Sequence, residues 1–160
     1  MAVEIIDKDL TTAIQGYILH QSNCFGMGSG IAKQLIHKYP KVHTDHQKLV
    51  KKHVYEEWKL LGTAQTIKVS DNPLYIVNLF GQYDTGTDYR RTEYGSIHVA
   101  LMAFYAEHLN SNFEFPNVYL PMKMGCNLGG GSWDIVLSII KEVFKDYQGH
   151  VYICKHNPKG

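Results

Sequence analysis

Cysteine is scarce in this chain of 160 residues: Cys24, Cys126 and Cys154 are its only three, and none stand at C-x-x-C spacing. That count and pattern argue against a disulfide framework and a zinc site, and fit a reducing compartment. An excess of charge is lacking too. Lys and Arg number 16 against 15 Asp and Glu, so no global field draws the chain to nucleic acid or an anionic membrane. No apolar run approaches the length that crosses a bilayer. The start, Met1-Ala2-Val3-Glu4, has neither the basic region nor the apolar core of a leader. Repeats, low-complexity segments and linkers rich in Pro, Gly or Ser are absent as well. With 44% hydrophobic residues, the expectation is one soluble, cytoplasmic domain over residues 1–160, long enough to bury a core.

What the chain does have is glycine in two special places. Gly26, Gly28 and Gly30 follow the apolar run Tyr17-Ile18-Leu19 and lead into a helix carrying Ile31, Leu35, Ile36 and Tyr39. Gly125, Gly129, Gly130 and Gly131 follow Val118-Tyr119-Leu120 and open a helix at Ser132. A strand, a glycine loop and a helix N-terminus in that order build a place for an anion. Without Cβ atoms the backbone N–H groups can approach a phosphate, and the helix dipole adds favourable potential. Two such loops suit a diphosphate, or a ligand with two phosphates.

The rest of the chain alternates. Strands are expected at Val3–Ile6, Tyr17–Gln21, Ala64–Val69, Leu74–Leu79, Val118–Leu120 and Val151–Ile153, with Ser70-Asp71-Asn72-Pro73 as a turn. Helices are expected at Gly30–Tyr39, stopped by Pro40, from about Val42 to Lys51 with Leu60-Leu61-Gly62 closing off that stretch, from Glu93 to Leu109, and at Ser132–Phe144 with Ser132 as N-cap. This pattern predicts an α/β fold in three layers, with a mixed, mostly parallel sheet. Both glycine loops fall at carboxyl ends of strands, where such sheets bind ligands.

Standard motifs do not fit the first loop. A dinucleotide fingerprint needs glycine at Ile31, a P-loop needs Lys after Gly30, and a nucleophile elbow needs serine at Gly28. Cys24 has no C-x5-R signature, since Gly30 stands six residues on, and it reads with Cys126 as a lining residue. His43 and His46 lack a third metal ligand and read as a solvated helix face, as do Lys48, Lys51 and Lys52. Arg90, Arg91 and Tyr94 fall in a polar loop able to close over the cleft. Phe25 and Tyr83 suit stacking on a base or ribose and equally suit core. Trp133 reads as a core anchor.

His20 through Gln34, Asn78-Leu79-Phe80-Gly81-Gln82-Tyr83 and Gly125 through Asp134 together resemble the binding motifs of macro domains, the ADP-ribose-binding modules. The likeness spans the chain from Asp9 to the final strand. It is nearest to the branch of ADP-ribose-1''-phosphate phosphatases and terminal ADP-ribose hydrolases. It implies a six-stranded mixed sheet with a cleft for ADP-ribose. Asp9 and Leu10 then meet adenine, although Lys8 stands where the family carries glycine. Asn23, Phe25, Gly26, Met27, Gly28, Ser29, Gly30 and Ile31 wrap the distal ribose. Gly125, Cys126, Asn127, Leu128, Gly129, Gly130, Gly131 and Ser132 cradle the diphosphate.

Gln82 stands where hydrolase relatives carry a catalytic lysine, and the second-loop aspartate of some relatives is replaced by glycine. His20 matches a histidine of the phosphatases. Read from the residues alone, His20 is equally a core histidine; the resemblance makes it the proton carrier in a metal-free, cofactor-free removal of the terminal phosphate. The alternatives are hydrolysis of ADP-ribosylated protein or nucleic acid, and binding of ADP-ribose without chemistry. A monomer is expected, with nucleic acid a partner only as a modified substrate.

Overall fold

A computed structural model describes residues 2–27 and 30–156. Six strands form one sheet in the order β1-β6-β5-β2-β4-β3. They are β1 (Val3–Asp7), β2 (Gly16–Asn23), β3 (Ala64–Ser70), β4 (Leu74–Gln82), β5 (Val118–Pro121) and β6 (Val151–Lys155). All neighbours pair in parallel except β3 and β4, which form the antiparallel hairpin around Asn72–Pro73. The helices are α1 (Gly30–Lys38), α2 (Lys41–Lys52), α3 (Tyr94–Phe104) and α4 (Trp133–Val143).

The side-chain period of two sorts each strand between two cores. On β2, Tyr17 and Leu19 join Val77 and Leu79 of β4 beneath α3 and α4, where Ile97, Phe104, Val136 and Ile140 are fully buried. Ile18 and Ile76 face the other way, under Leu35 of α1 and Val42 of α2. The expected three layers are therefore present.

Four expectations differ in detail. The second helix stops at Lys52 with His53 as its C-cap, and a separate 3-10 turn, Glu57–Leu60, follows it. The helix from Glu93 passes into a π turn at Tyr105–Leu109, where Asn110 N–H bonds Tyr105 O. Ser132 has extended N-cap geometry, but its hydroxyl makes no capping bond; its N–H donates to the Tyr94 hydroxyl at 2.9 Å. His46 is fully buried while His43 is exposed, so the two do not share a solvated face. Trp133 packs half-buried against the α3–α4 core, as expected of an anchor.

A polar row crosses the sheet on the α1–α2 face. His20 on β2, Asn78 on β4 and Gln65 on β3 are in register. His20 Nε2 lies 2.6 Å from Asn78 Oδ1, Asn78 Nδ2 donates to Gln65 Oε1 at 3.1 Å, and Gln65 Nε2 reaches Asp45 O on α2. The amide orientation assigns the His20 proton to Nε2. Burial holds this imidazole down to about 4, from an ordinary 6.5, against the opposing pull of the Asn78 bond. Burial also lowers His46.

Between those two values the unfolded chain holds a proton that folded His20 refuses, so stability falls as pH drops through that window. The loss is on the order of 3 kcal/mol once pH reaches the folded value. Unfolding free energies from urea titrations between neutral pH and about 4 should fall by that amount, and His20→Gln should remove this part of the slope. Parallel losses in the two proteins would contradict the assignment.

Candidate functional site

The carboxyl ends of β1, β5 and β6 and the start of α1 enclose a cleft of about 590 Å³, within the size range of small-molecule sites. Five expected ligand residues line it: Asp9 and Leu10 after β1, Gly30 and Ile31 at the start of α1, and Asn127 from the second glycine loop. Lys8, Lys123, Lys155 and His156 line it too. Asp9 Oδ1 accepts from Thr11 N–H at 3.0 Å and Thr11 Oγ1–H at 2.7 Å, while Oδ2 lies 3.7 Å from His156 Nε2. The Thr11 hydroxyl, above all, holds the Asp9 carboxyl below its usual range. Asp9 is thus a fixed anion with one oxygen turned from its own turn.

The first glycine loop is tied down from within. Asn23 Oδ1 accepts from Phe25 N–H and Gly26 N–H, both at 2.8 Å, and Cys24 N–H donates to Tyr83 O. From α2, His46 Nε2 donates to Asn23 O at 3.1 Å and Gln47 Nε2 to Phe25 O at 3.3 Å. The carboxamide oxygen of Asn23 is therefore spent on its loop, not held out for a ribose. A Cβ at Gly26 would meet open space. Phe25 and Tyr83 are part-exposed and pack edge to face at 5.0 Å. Met27 packs half-buried on the α1–α2 core. Gly28 and Ser29 lie outside the described residues.

The second loop is built around Thr92, a buried residue not singled out by its sequence. Gln21 Nε2 donates to Thr92 Oγ1 at 2.9 Å and to Gln82 Oε1 at 2.6 Å, and Thr92 Oγ1–H donates to Gly125 O at 2.6 Å. Gly129 O accepts from both Arg91 N–H and Thr92 N–H at 2.9 Å. A Cβ at Gly129 would lie 2.3 Å from Thr92 Oγ1, and one at Gly131 2.8 Å from Gly125 O. Glycine is required there because the loop closes over a side chain. The amides of Cys126, Gly130, Gly131 and Ser132 are used internally. Among the described residues, those of Asn127, Leu128 and Gly129 make no such bond, and Leu128 is exposed.

Other expected residues sit apart from the cleft. Gln82 is committed to Gln21 and, through Nε2, to Asp84 O. Cys24 is fully buried with Leu60 and Phe80, and burial pushes its thiol up to about 12, so it neither lines the site nor acts as a nucleophile. Cys126 is half-buried with its thiol raised by burial and its S–H directed at Met124 O. His20 has no exposed surface; its imidazole lies beneath the sheet face in the polar row described above, with Nδ1 free of partners among the described residues. Arg91 does not swing over the cleft. Its guanidinium is gripped by Asp84 at 2.7 Å and Asp88 at 2.6 Å and lies over the Tyr89 ring. Arg90 lies over Tyr94.

Among the described residues no three His, Cys, Asp or Glu side chains are grouped as a metal site requires, and no helix is long and apolar enough to cross a membrane. The sequence signal for Thr92 was the glycine run itself, which implies a bulky neighbour. Lys155 and His156 carried no signal, being ordinary strand-end residues.

No family model matches the chain. A 17.5 kDa protein in the tk-vs intergenic region of Enterobacteria phage T4 is 29% identical over 133 residues, covering 77% of this chain and 76% of that one. A protein of unknown function from Bacteroides thetaiotaomicron superposes with a TM-score of 0.81 at 26% identity, over 98% of this chain and 99% of that one. The macrodomain of Mycobacterium tuberculosis DarG gives 0.77 at 19% identity over 98% of each chain. Thermosipho africanus DarTG, solved in complex with ADP-ribose, gives 0.75 at 17% identity, over 98% of this chain and 41% of its own. The six-stranded mixed sheet, the helices on both its faces and these superpositions agree: this chain has the fold of the macrodomains.

Proposed function

We propose that this chain binds ADP-ribose along the carboxyl ends of the strands, with the adenosine beside Asp9 and Leu10 and the diphosphate under the second glycine loop. One observation carries the reading: a single cleft joins Asp9, the start of α1 and Asn127 of that loop. The ADP-ribose complex of a protein with this fold supports it. The amides of Asn127, Leu128 and Gly129 supply donors that suit a diphosphate, as such nests do elsewhere.

Release of the terminal phosphate from ADP-ribose-1''-phosphate is the second reading. Two features favour it: His20 matches the phosphatase histidine, and Gln82 replaces the hydrolase lysine. Asn78 fixes the imidazole proton on Nε2, which leaves Nδ1 as the nitrogen able to accept one. Against it stands the complete burial of the ring. Turnover requires that imidazole to be uncovered; binding does not. Binding is therefore the primary function proposed.

Calorimetry with ADP-ribose should give a one-to-one complex. Asp9→Ala should weaken it by about ten- to a hundredfold, the worth of a hydrogen bond to a charged group. Gly129→Ala should do so indirectly, by forcing the loop off Thr92, with about 1–3 kcal/mol of lost stability in the same protein. Absence of any ADP-ribose binding would overturn the proposal.

Phosphate release tests the second reading separately. If neutral His20 is the proton acceptor, kcat/KM, which reports the free enzyme with its ring buried, rises through pH about 4, stays flat through neutrality, and falls at least tenfold in folded His20→Ala. A rate indifferent to that substitution would leave the protein a binder.

A further inference from the structure

A cavity of about 380 Å³ opens at the opposite pole of the sheet, where β2, β4 and β5 begin. It is large enough for a small organic ligand. Tyr17 of β2 and Tyr75 of β4 line it with their rings stacked at 4.8 Å. Backbone constraints set the course of the wall beside them. A Cβ at Gly16 would collide with Asn117 O, and Phe115 is held at φ 49°, a left-handed conformation that bulky side chains rarely enter.

The polar groups of this cavity are largely unspent. Tyr17 is only 6% exposed, and a phenol so buried ordinarily has a hydrogen-bond partner. Among the described residues its hydroxyl has none, yet it is not sealed off as His20 Nδ1 and Ser22 Oγ are; the opening it keeps is the cavity. Burial, with Tyr75 beside it, raises the Tyr17 phenol, so the hydroxyl stays neutral. Gln15 gives Nε2 to Asn72 O at 2.8 Å, and its Oε1 is unclaimed among the described residues. Glu114 is the one formally charged residue of the lining, and among the described residues no Lys, Arg or His lies within 4.0 Å of its carboxylate. Asn112 N–H bonds Leu109 O, so the carboxyl end of the helix that continues α3 adds its negative dipole at this pole. The basic groups nearby have carboxylates of their own. Lys68, opposite Tyr75 in register, pairs with Asp71 at 3.7 Å, and His108, whose ring lies 5.7 Å from that of Tyr17, is 3.7 Å from Glu107.

We propose that this cavity is a second ligand site, separate from the ADP-ribose cleft, and that it takes a guanidinium group carried on an apolar stem. Free acceptors, one unpaired carboxylate and stacked aromatic rings, with no cation in the lining, call for a ligand that brings positive charge and N–H donors. An anion would meet Glu114 with nothing to neutralise it. A guanidinium presents five donors in one plane, is weakly hydrated and stacks on aromatic rings, whereas an ammonium is a compact, strongly hydrated charge. The same group can come from a free small molecule or from an arginine side chain.

NMR titrations of the full chain with four probes test the site: N-butylguanidinium, its neutral isostere N-butylurea, N-butylammonium and N-acetylarginine methylamide. N-butylguanidinium should move the amide signals of Gly16, Tyr17 and Asn117 saturably and leave those of Asp9 and Asn127 still. It should bind about tenfold more tightly than N-butylurea, the worth of a charged hydrogen bond, and more tightly than N-butylammonium. Glu114→Gln and Tyr17→Phe, which keep the shape of the wall, should each weaken it by about three- to tenfold. Equal binding of the arginine derivative identifies a peptide arginine as the occupant; its exclusion identifies a free compound. No saturable shift, equal affinity for the urea, or an affinity indifferent to both substitutions would overturn the site, and a preference for N-butylammonium would overturn the guanidinium assignment. Each of these failures leaves the ADP-ribose reading standing, because that ligand is measured at the other pole.

Discussion

The hydroxyl of Thr92 is the point on which the end of this molecule that carries the glycine loops turns. It accepts from Gln21 on β2 and donates to Gly125 O after β5. One buried oxygen thereby joins a central strand, the polar segment between β4 and α3, and the second glycine loop. The adjacent backbone adds two bonds onto Gly129 O. A buried hydroxyl must find partners, and here its partners are the loop itself. The shape of the cleft follows from that local demand, because Gly129 and Gly131 can lie where they do only without side chains.

The outer part of the same segment is held by a different force. Arg91 sits between Asp84 and Asp88 with its guanidinium against Tyr89, and its side chain is only 11% exposed. An arginine so placed gains geometry more than energy, since two carboxylates, one on each terminal nitrogen, and a stacked ring fix the planar group. The segment that follows β4 is consequently a strut. It presses on the second loop from outside while Thr92 holds it from within.

Much of the architecture was legible because it rests on periodicity and on glycine. The alternation on β2 separated Leu19 from Ile18, and the hairpin around Pro73 announced the one antiparallel pair. The position of both glycine loops at strand ends followed from order alone. Side-chain direction did not. His20 reads as a strand-end residue beside a binding loop, yet the same period of two turns it into the layer with Asn78. His46 lies one turn from His43 on a helix rich in lysine, and only the stacking against Phe80 and the bond to Asn23 O reveal it as buried. Thr92 was hidden because its importance depends on residues distant in the chain. Lys123 and Lys155 become neighbours of Asp9 only when β5 and β6 are laid beside β1.

The sheet order also dictates a sequence of events. Only β3 and β4 are joined by a tight turn; Tyr17 must find Val118, and Val3 must find Val151, across most of the chain. Contacts that close long loops come late in folding because chain entropy is lost before they repay it. The cleft is assembled from the ends of β1, β5 and β6. It is therefore among the last parts of the molecule to exist, and a nascent chain has no such cleft until β6 has docked.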